Sequence, residues 1–460
     1  MAKNATREMT SGSPLKLILS FAVPLLLGML FQQFYSMVDT IIVGKSLGVD
    51  QLAGVGSTGA INFMIIGFCN GVCSGFAIPI AQSFGAKDYK RLRKFVANAA
   101  WLSIAFAAVM TVVVCVLCRQ ILSWMDTPEN IFEYAYSYIF IIFLGIPATY
   151  LYNLLSGIIR SLGDSRTPVI FLVISAMLNI LFDLLAILVL HMGVAGAAWA
   201  TVLSQLISGI LCFLYMRKQY DILKFEKDEM KFEGRQAIIL CNMGIPMGLQ
   251  YSITAIGSVI LQTAVNSLGS QAVAAVTAAG RISGFSCCPF DALGSTMATY
   301  AGQNVGAGKL DRVGKGLKSA SFIGGIYAII AFFVLSLFGR QIALLFVSAD
   351  EIAILDHVKQ FLVFNTAFYI PLCLVNTVRF CIQGMGYSRL AILAGVCEMA
   401  AITLVGFALV PLFIASLVLV PLIGFVGICI ASPIAWIMAD LFLVPAYCHT
   451  INRMKKILAS

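Results

Sequence analysis

Residues Leu15–Val43 read LKLILSFAVPLLLGMLFQQFYSMVDTIIV, and this run decides the fold class. A helix needs about 20 apolar residues to cross the hydrocarbon core of a bilayer. The run exceeds that length with only Lys16 and Asp39 charged. It is too long for the apolar core of a signal peptide, and no small-residue cleavage site follows it. We therefore expect a retained membrane span. Inside it stand Pro24, which lacks the N–H that a helix interior uses, and the polar set Gln32, Gln33, Tyr35 and Asp39.

Runs of the same kind recur at 54–81, 95–117, 134–158, 167–190, 194–216, 237–266, 276–301, 316–338, 355–382, 389–412 and 418–446. Composition agrees, because 60% of the 460 residues are hydrophobic and 11% are charged. A soluble domain carries roughly 25% charged residues. Loop charge tests the count of twelve. With the N-terminus on the cytoplasmic side, 24 of the 30 Lys and Arg fall inside, 4 outside, and Arg281 and Arg379 lie within or at the ends of spans. This positive-inside bias places both termini in the cytoplasm. The formal charge of +9 is thus a matter of topology, and no nucleic acid is expected.

The chain repeats itself. Arg119-Gln120-Ile121 recurs as Arg340-Gln341-Ile342, Leu47-Gly48 as Leu268-Gly269, and Gln82 with Gly85-Ala86 as Gln303 with Gly306-Ala307. Asn153, Gly163 and Arg166 match Asn376, Gly386 and Arg389; Gly193, Gly196 and Thr201 match Gly424, Gly427 and Ser432; Pro24 lies near the counterpart of Pro246. The expected fold is all-α, with twelve transmembrane helices in two six-helix bundles. Each half holds an even number of spans, so the halves are related by an axis along the membrane normal. The divisions are 1–216, a charged cytoplasmic linker at 217–236, and 237–460.

A charged side chain at mid-membrane costs about 2.5–3.5 kcal/mol on insertion scales, so each intramembrane acid needs a reason. Five acids lie within spans away from their first residues: Asp39, Asp183, Asp291, Glu398 and Asp440. Asn179 and Asp183 share one helix face at i,i+4 spacing. Thr201 follows the small-residue stretch Gly193–Ala198, which lets helices approach closely. If these helices converge with Asp39, two carboxyls, an amide and a hydroxyl form a coupling-ion site. Oxygen ligands suit a hard cation such as Na⁺. Two carboxyls in a poorly hydrated site equally suit one shared proton. Gln32, Gln33, Tyr35, Tyr150 and Asn153 are candidates to line a substrate cavity, where aromatic and acidic groups together attract organic cations. Pro24 is the candidate hinge. Asp291 could meet Arg281 only through a bend or a water, and Asp440 lies near enough to the cytoplasmic end to reach the interface.

The 13 cysteines form no disulfide or zinc spacing, and the three histidines are far apart. Neither a metalloenzyme nor any other enzyme is expected, and no cofactor beyond the coupling ion.

With these residues in place, the chain resembles the multidrug and toxic compound extrusion (MATE) family, in its DinF-like branch. The resemblance rests on Met37-Val-Asp39-Thr40 with Val43-Gly44, Gln82-Ser-Phe-Gly85-Ala86, Asn179 with Asp183, and Gly193-Val-Ala-Gly196-Ala-Ala before Thr201. It implies a monomeric antiporter that expels small molecules, often cationic amphiphiles, against inward H⁺ or Na⁺. It implies two bundles that rock about a cleft, coupling residues at Asp39, Asn179, Asp183 and Thr201, and a bending first helix at Pro24. The runner-up is a flippase of lipid-linked precursors. It calls for a cationic cavity, whereas the candidate cavity here is acidic.

Overall fold

The computed structural model describes residues 6–406 and 424–459. Parts of the eleventh and twelfth expected spans, 407–412 and 418–423, lie outside the described residues. Sixteen α-helices carry the description. They are α1 (Pro14–Leu47), α2 (Val49–Ser57), α3 (Gly59–Gly85), α4 (Tyr89–Val116), α5 (Cys118–Trp124), α6 (Glu129–Leu144), α7 (Ile146–Ser161) and α8 (Arg166–Leu184). There follow α9 (Gly193–Gln219), α10 (Gly234–Asn266), α11 (Ser270–Gly306), α12 (Leu310–Ala343), α13 (Ile352–Ala367), α14 (Tyr369–Gly384), α15 (Ser388–Gly406) and α16 (Phe425–Ala459). No strand occurs among the described residues.

Eight described helices are each long and apolar enough to cross a membrane, and two bent pairs bring the number to ten. The helices α11 and α15 stand at the eighth and eleventh expected spans. The bent pairs are α6 with α7, at 47°, and α13 with α14, at 52°. They are the fourth and tenth spans, so the break itself is repeated. Pro147 and Pro371 stand just past the two breaks, where a residue without an N–H is tolerated. The repeated loop glycines have a backbone reason as well. Gly48 and Gly269 have φ of 91° and 92°, and Gly163 and Gly386 have 85° and 98°. L-residues with a Cβ avoid that region.

Contacts divide the chain into two compact units, one mainly Val23–Ser252, the other mainly Ile253–Asn304 and Gly308–Ser460 with Gly12–Ala22. The linker expected at 217–236 packs wholly within the first unit, and the division falls inside α10. It is held there by α4. Arg93 donates from Nε and Nη2 to the two carboxylate oxygens of Glu229, at 2.6 and 2.7 Å. Lys94 pairs with Glu233 at 2.7 Å, and Trp101 Nε1 donates to the Met230 carbonyl at 3.0 Å. The mixed charges of this segment are therefore partners of α4.

Within the first unit, α3 and the start of α10 meet through glycine. A Cβ at Gly71 would lie 2.5 Å from the Met247 carbonyl oxygen, and one at Gly75 2.5 Å from the Gly244 Cα. Gly71 and Gly75 thus face Gly244 and Gly248, a pair of small-xxx-small seams that lets two backbones touch. The core of this unit runs through Phe76, Phe95, Phe143 and Tyr150, all buried.

Candidate functional site

Three helices of the first unit build the site. The start of α8 is fixed by Asp164. Its Oδ1 accepts from the backbone N–H groups of Arg166 and Thr167 at 2.9 and 3.1 Å, and its Oδ2 accepts from the Tyr220 hydroxyl at 2.7 Å. These bonds satisfy N–H groups that a helix start leaves open. The end of α8 passes into a π-helical turn, Leu185–Val189, which begins two residues after Asp183. A Cβ at Gly196 would meet Ala186 Cβ at 3.0 Å, so the small-residue stretch lets α9 close onto that turn. Thr201 is thereby brought to α8.

The amide of Asn179 is the hub. In the orientation that satisfies all its neighbours, its nitrogen donates to the Tyr35 hydroxyl and to Asp183 Oδ2, both at 2.9 Å. Its oxygen accepts from the Thr201 N–H at 3.0 Å and from Thr201 Oγ1 at 3.2 Å. Thr201 Oγ1 also has the Ala197 carbonyl within 3.1 Å as an alternative acceptor. Asn179 is 1% exposed and Asp183 is fully buried. The carboxyl of Asp39 lies within hydrogen-bonding reach of Asp183. One oxygen on each, Oδ1 of Asp39 and Oδ1 of Asp183, is buried with no hydrogen-bond partner. Buried polar atoms are normally satisfied, and two orphaned carboxyl oxygens have the chemistry to take a proton or a cation. Among the described residues no group of three His, Cys, Asp or Glu is arranged to hold a metal ion. The ligands on offer are the two carboxyls and the Tyr35 and Thr201 hydroxyls, since the Asn179 oxygen faces Thr201.

Beside this hub lies a cleft of about 380 Å³ of open space between α1, α8 and α9. Gln32 and Tyr35 line it, with Ser175, Thr201, Ser204 and Gln205. Gln33 is half-buried outside the lining, and Tyr150 is 2% exposed within the hydrophobic core. Asn153 turns back on its own helix, donating to the Thr149 carbonyl at 2.9 Å. Tyr35, expected only at a cavity wall, bonds to Asn179 and so belongs to both cleft and hub. Ser175 and Gln205 escaped the sequence reading. The signal was present, since Ser175 stands four residues before Asn179 and Gln205 four after Thr201, on the same helix faces. Pro24 lies in α1, which runs through it as one helix. It stands two residues past Ala22, where α1 passes from one contact unit to the other.

In the second unit, Glu398 forms an ion pair with Arg379. Asp440 lies within range of both, and its Oδ1 is buried with no hydrogen-bond partner. Asp291 is exposed and lies within range of Arg379.

The MatE family model matches the chain twice, at residues 24–185 and 246–407, once in each half. A probable multidrug resistance protein of Bacillus subtilis, YoeA, is 30% identical over 346 residues, covering 73% of this chain and 74% of its own. A second from the same organism, YpnP, is 30% identical over 376 residues, covering 81% and 82%. A solved MATE structure in complex with MaL6 superposes with a TM-score of 0.88 at 22% identity, covering 97% of this chain and 98% of that one. A family match that begins at Pro24 and again at Pro246, over a helical fold with an acid-bearing first half, makes this chain a member of the MatE family of membrane transporters.

Proposed function

We propose that the chain is an antiporter of the cell membrane, a monomer with both termini cytoplasmic. In this reading it exports small organic, cationic amphiphilic compounds by alternating access, in exchange for H⁺ or Na⁺. One observation carries the reading: Tyr35 and Thr201 line the cleft and also hold the Asn179 amide beside Asp183. A ligand that moves either side chain disturbs the hydrogen bonds of the ion-binding carboxyls. An ion that draws Asp39 and Asp183 together reshapes the cleft wall. Two ligands sharing such a wall have a coupling free energy, and the coupling is reciprocal. Asp39, Asn179, Asp183 and Thr201 are then the coupling residues, Gln32 and Tyr35 the substrate contacts, and Pro24 the hinge in α1.

The test is export of ethidium from proteoliposomes under an imposed H⁺ gradient and then an imposed Na⁺ gradient. Export driven by one gradient, and abolished in Asp39→Asn and in Asp183→Asn with both variants folded, is the expected result. Normal export by both variants would remove the first-half coupling site.

A further inference from the structure

The second unit holds a cleft of its own, of about 590 Å³ of open space, between α10, α15 and α16. It is the repeat of the first. Each of the nine residues lining the first cleft has a counterpart in the lining of the second, at offsets of 222 on the first helix, 223 on the second and 231 on the third. The chemistry has changed at those positions. Tyr35 becomes Gly257 and Leu172 becomes Gly395, which removes two large side chains. Ser175 becomes Glu398 and Gln205 becomes Trp436. The acids of the first half have no counterpart, since Leu261 stands at the place of Asp39 and Gly406 at that of Asp183.

Behind the wall lies a charge set that does not balance. Arg379, with its side chain 7% exposed, pairs with Glu398. Arg379 Nε and Asp440 Oδ1 are each buried with no hydrogen-bond partner, and Asp440 interacts with both members of the pair. Three carboxyls, those of Glu398, Asp440 and Asp291, lie within range of one guanidinium, so the set has room for one more positive charge. An unmatched charge in the interior is costly, and a ligand that supplies the opposite sign relieves it. The aromatic face of Trp436 and the thioether of Met399 favour a flat, polarisable cation.

We propose that this cleft is a second binding site, which takes one aromatic organic cation against Trp436 with Glu398 as its counter-charge. Arg379 is a tethered competitor for the same carboxylate and so sets how strong a cation must be to enter. The two halves then divide the work. The first half binds the coupling ion, and the enlarged second cleft holds the bulk of the substrate. This rests on the efflux reading and deepens it.

The experiment uses the full chain in nanodiscs, with ethidium as probe. Trp101, Trp124 and Trp199 are replaced by Phe so that Trp436 is the one remaining indole. Ethidium should quench Trp436, with saturation. Glu398→Gln should weaken that binding at least tenfold for ethidium and less than threefold for a neutral aromatic of similar size. Because Glu398→Gln leaves Arg379 unpaired, Trp436→Leu, which spares the ion pair, is measured alongside by equilibrium dialysis and should also lose at least tenfold. Ethidium bound and exported, with Trp436 unquenched and both variants binding as wild type, would overturn the second site and leave the efflux reading intact. No ethidium binding to the wild-type chain would overturn both.

Discussion

Replacing Asn179 by Ala separates a structural role of the hub from a coupling role. The substitution deletes the amide, and with it three hydrogen bonds to other helices, one to Tyr35 on α1 and two to Thr201 on α9. Interhelical hydrogen bonds in membranes average about 0.6 kcal/mol each. Thr201 Oγ1 keeps the Ala197 carbonyl as a partner, which trims the loss. The stability cost is therefore about 1–2 kcal/mol, a shift of a few degrees in the unfolding temperature of a chain this size. Transport responds differently. Without the amide, nothing ties Asp183 to Tyr35 and Thr201, and the geometry shared by ion and substrate is gone. Gradient-driven ethidium export should fall at least tenfold, while ethidium affinity, read by equilibrium dialysis, changes less than threefold. Export within twofold of wild type would refute the hub as a coupling element. An unfolding temperature lowered by more than about 10 °C would show that its role is structural.

Three further outcomes are expected. Gly75→Val drives a side chain into the Gly244 backbone, so α3 and α10 must separate at about 1–3 kcal/mol, seen as a lower unfolding temperature in detergent; an unchanged temperature would mean the seam is loose. Glu229 is 1% exposed, and the Arg93 guanidinium, which donates hydrogen bonds to it, holds its carboxyl down at about 2 from an ordinary 4.5. The latch is then whole above about pH 4.5 and is lost as pH falls towards 2. Solvent at its rim limits it to about 1–2 kcal/mol. Glu229→Gln should raise hydrogen exchange across residues 221–233 at pH 7, and exchange equal to wild type there would dismiss the latch. Pro24→Ala restores the missing N–H of α1 and should slow turnover several-fold with little change in ethidium affinity. Equal turnover would leave Pro24 a static feature.

The sequence by itself determined what depends on local pattern and on solvent. Run length and the scarcity of charge select membrane helices, because lipid offers the backbone no hydrogen-bond partners. Matched loop glycines and triplets exposed the repeat, and the breaks near Pro147 and Pro371 belong to it. The cost of a buried charge singled out Asp39, Asp183, Glu398 and Asp440 before any packing was known. Helix periodicity put Asn179 and Asp183 on one face. Tertiary structure alone decided which faces meet. Asp39 and Asp183 stand far apart in the chain, and their meeting depends on how α1, α8 and α9 pack. The same holds for Tyr35, which reads as a cavity wall and proves to be a partner of Asn179. Tyr150 reads as a lining residue and is buried in the core. Arg379 finds Glu398 across two helices, a pairing no spacing along the chain predicts. Periodicity tells which side of a helix is polar. Only the packing of small residues, which sets how closely backbones approach, tells what that side faces.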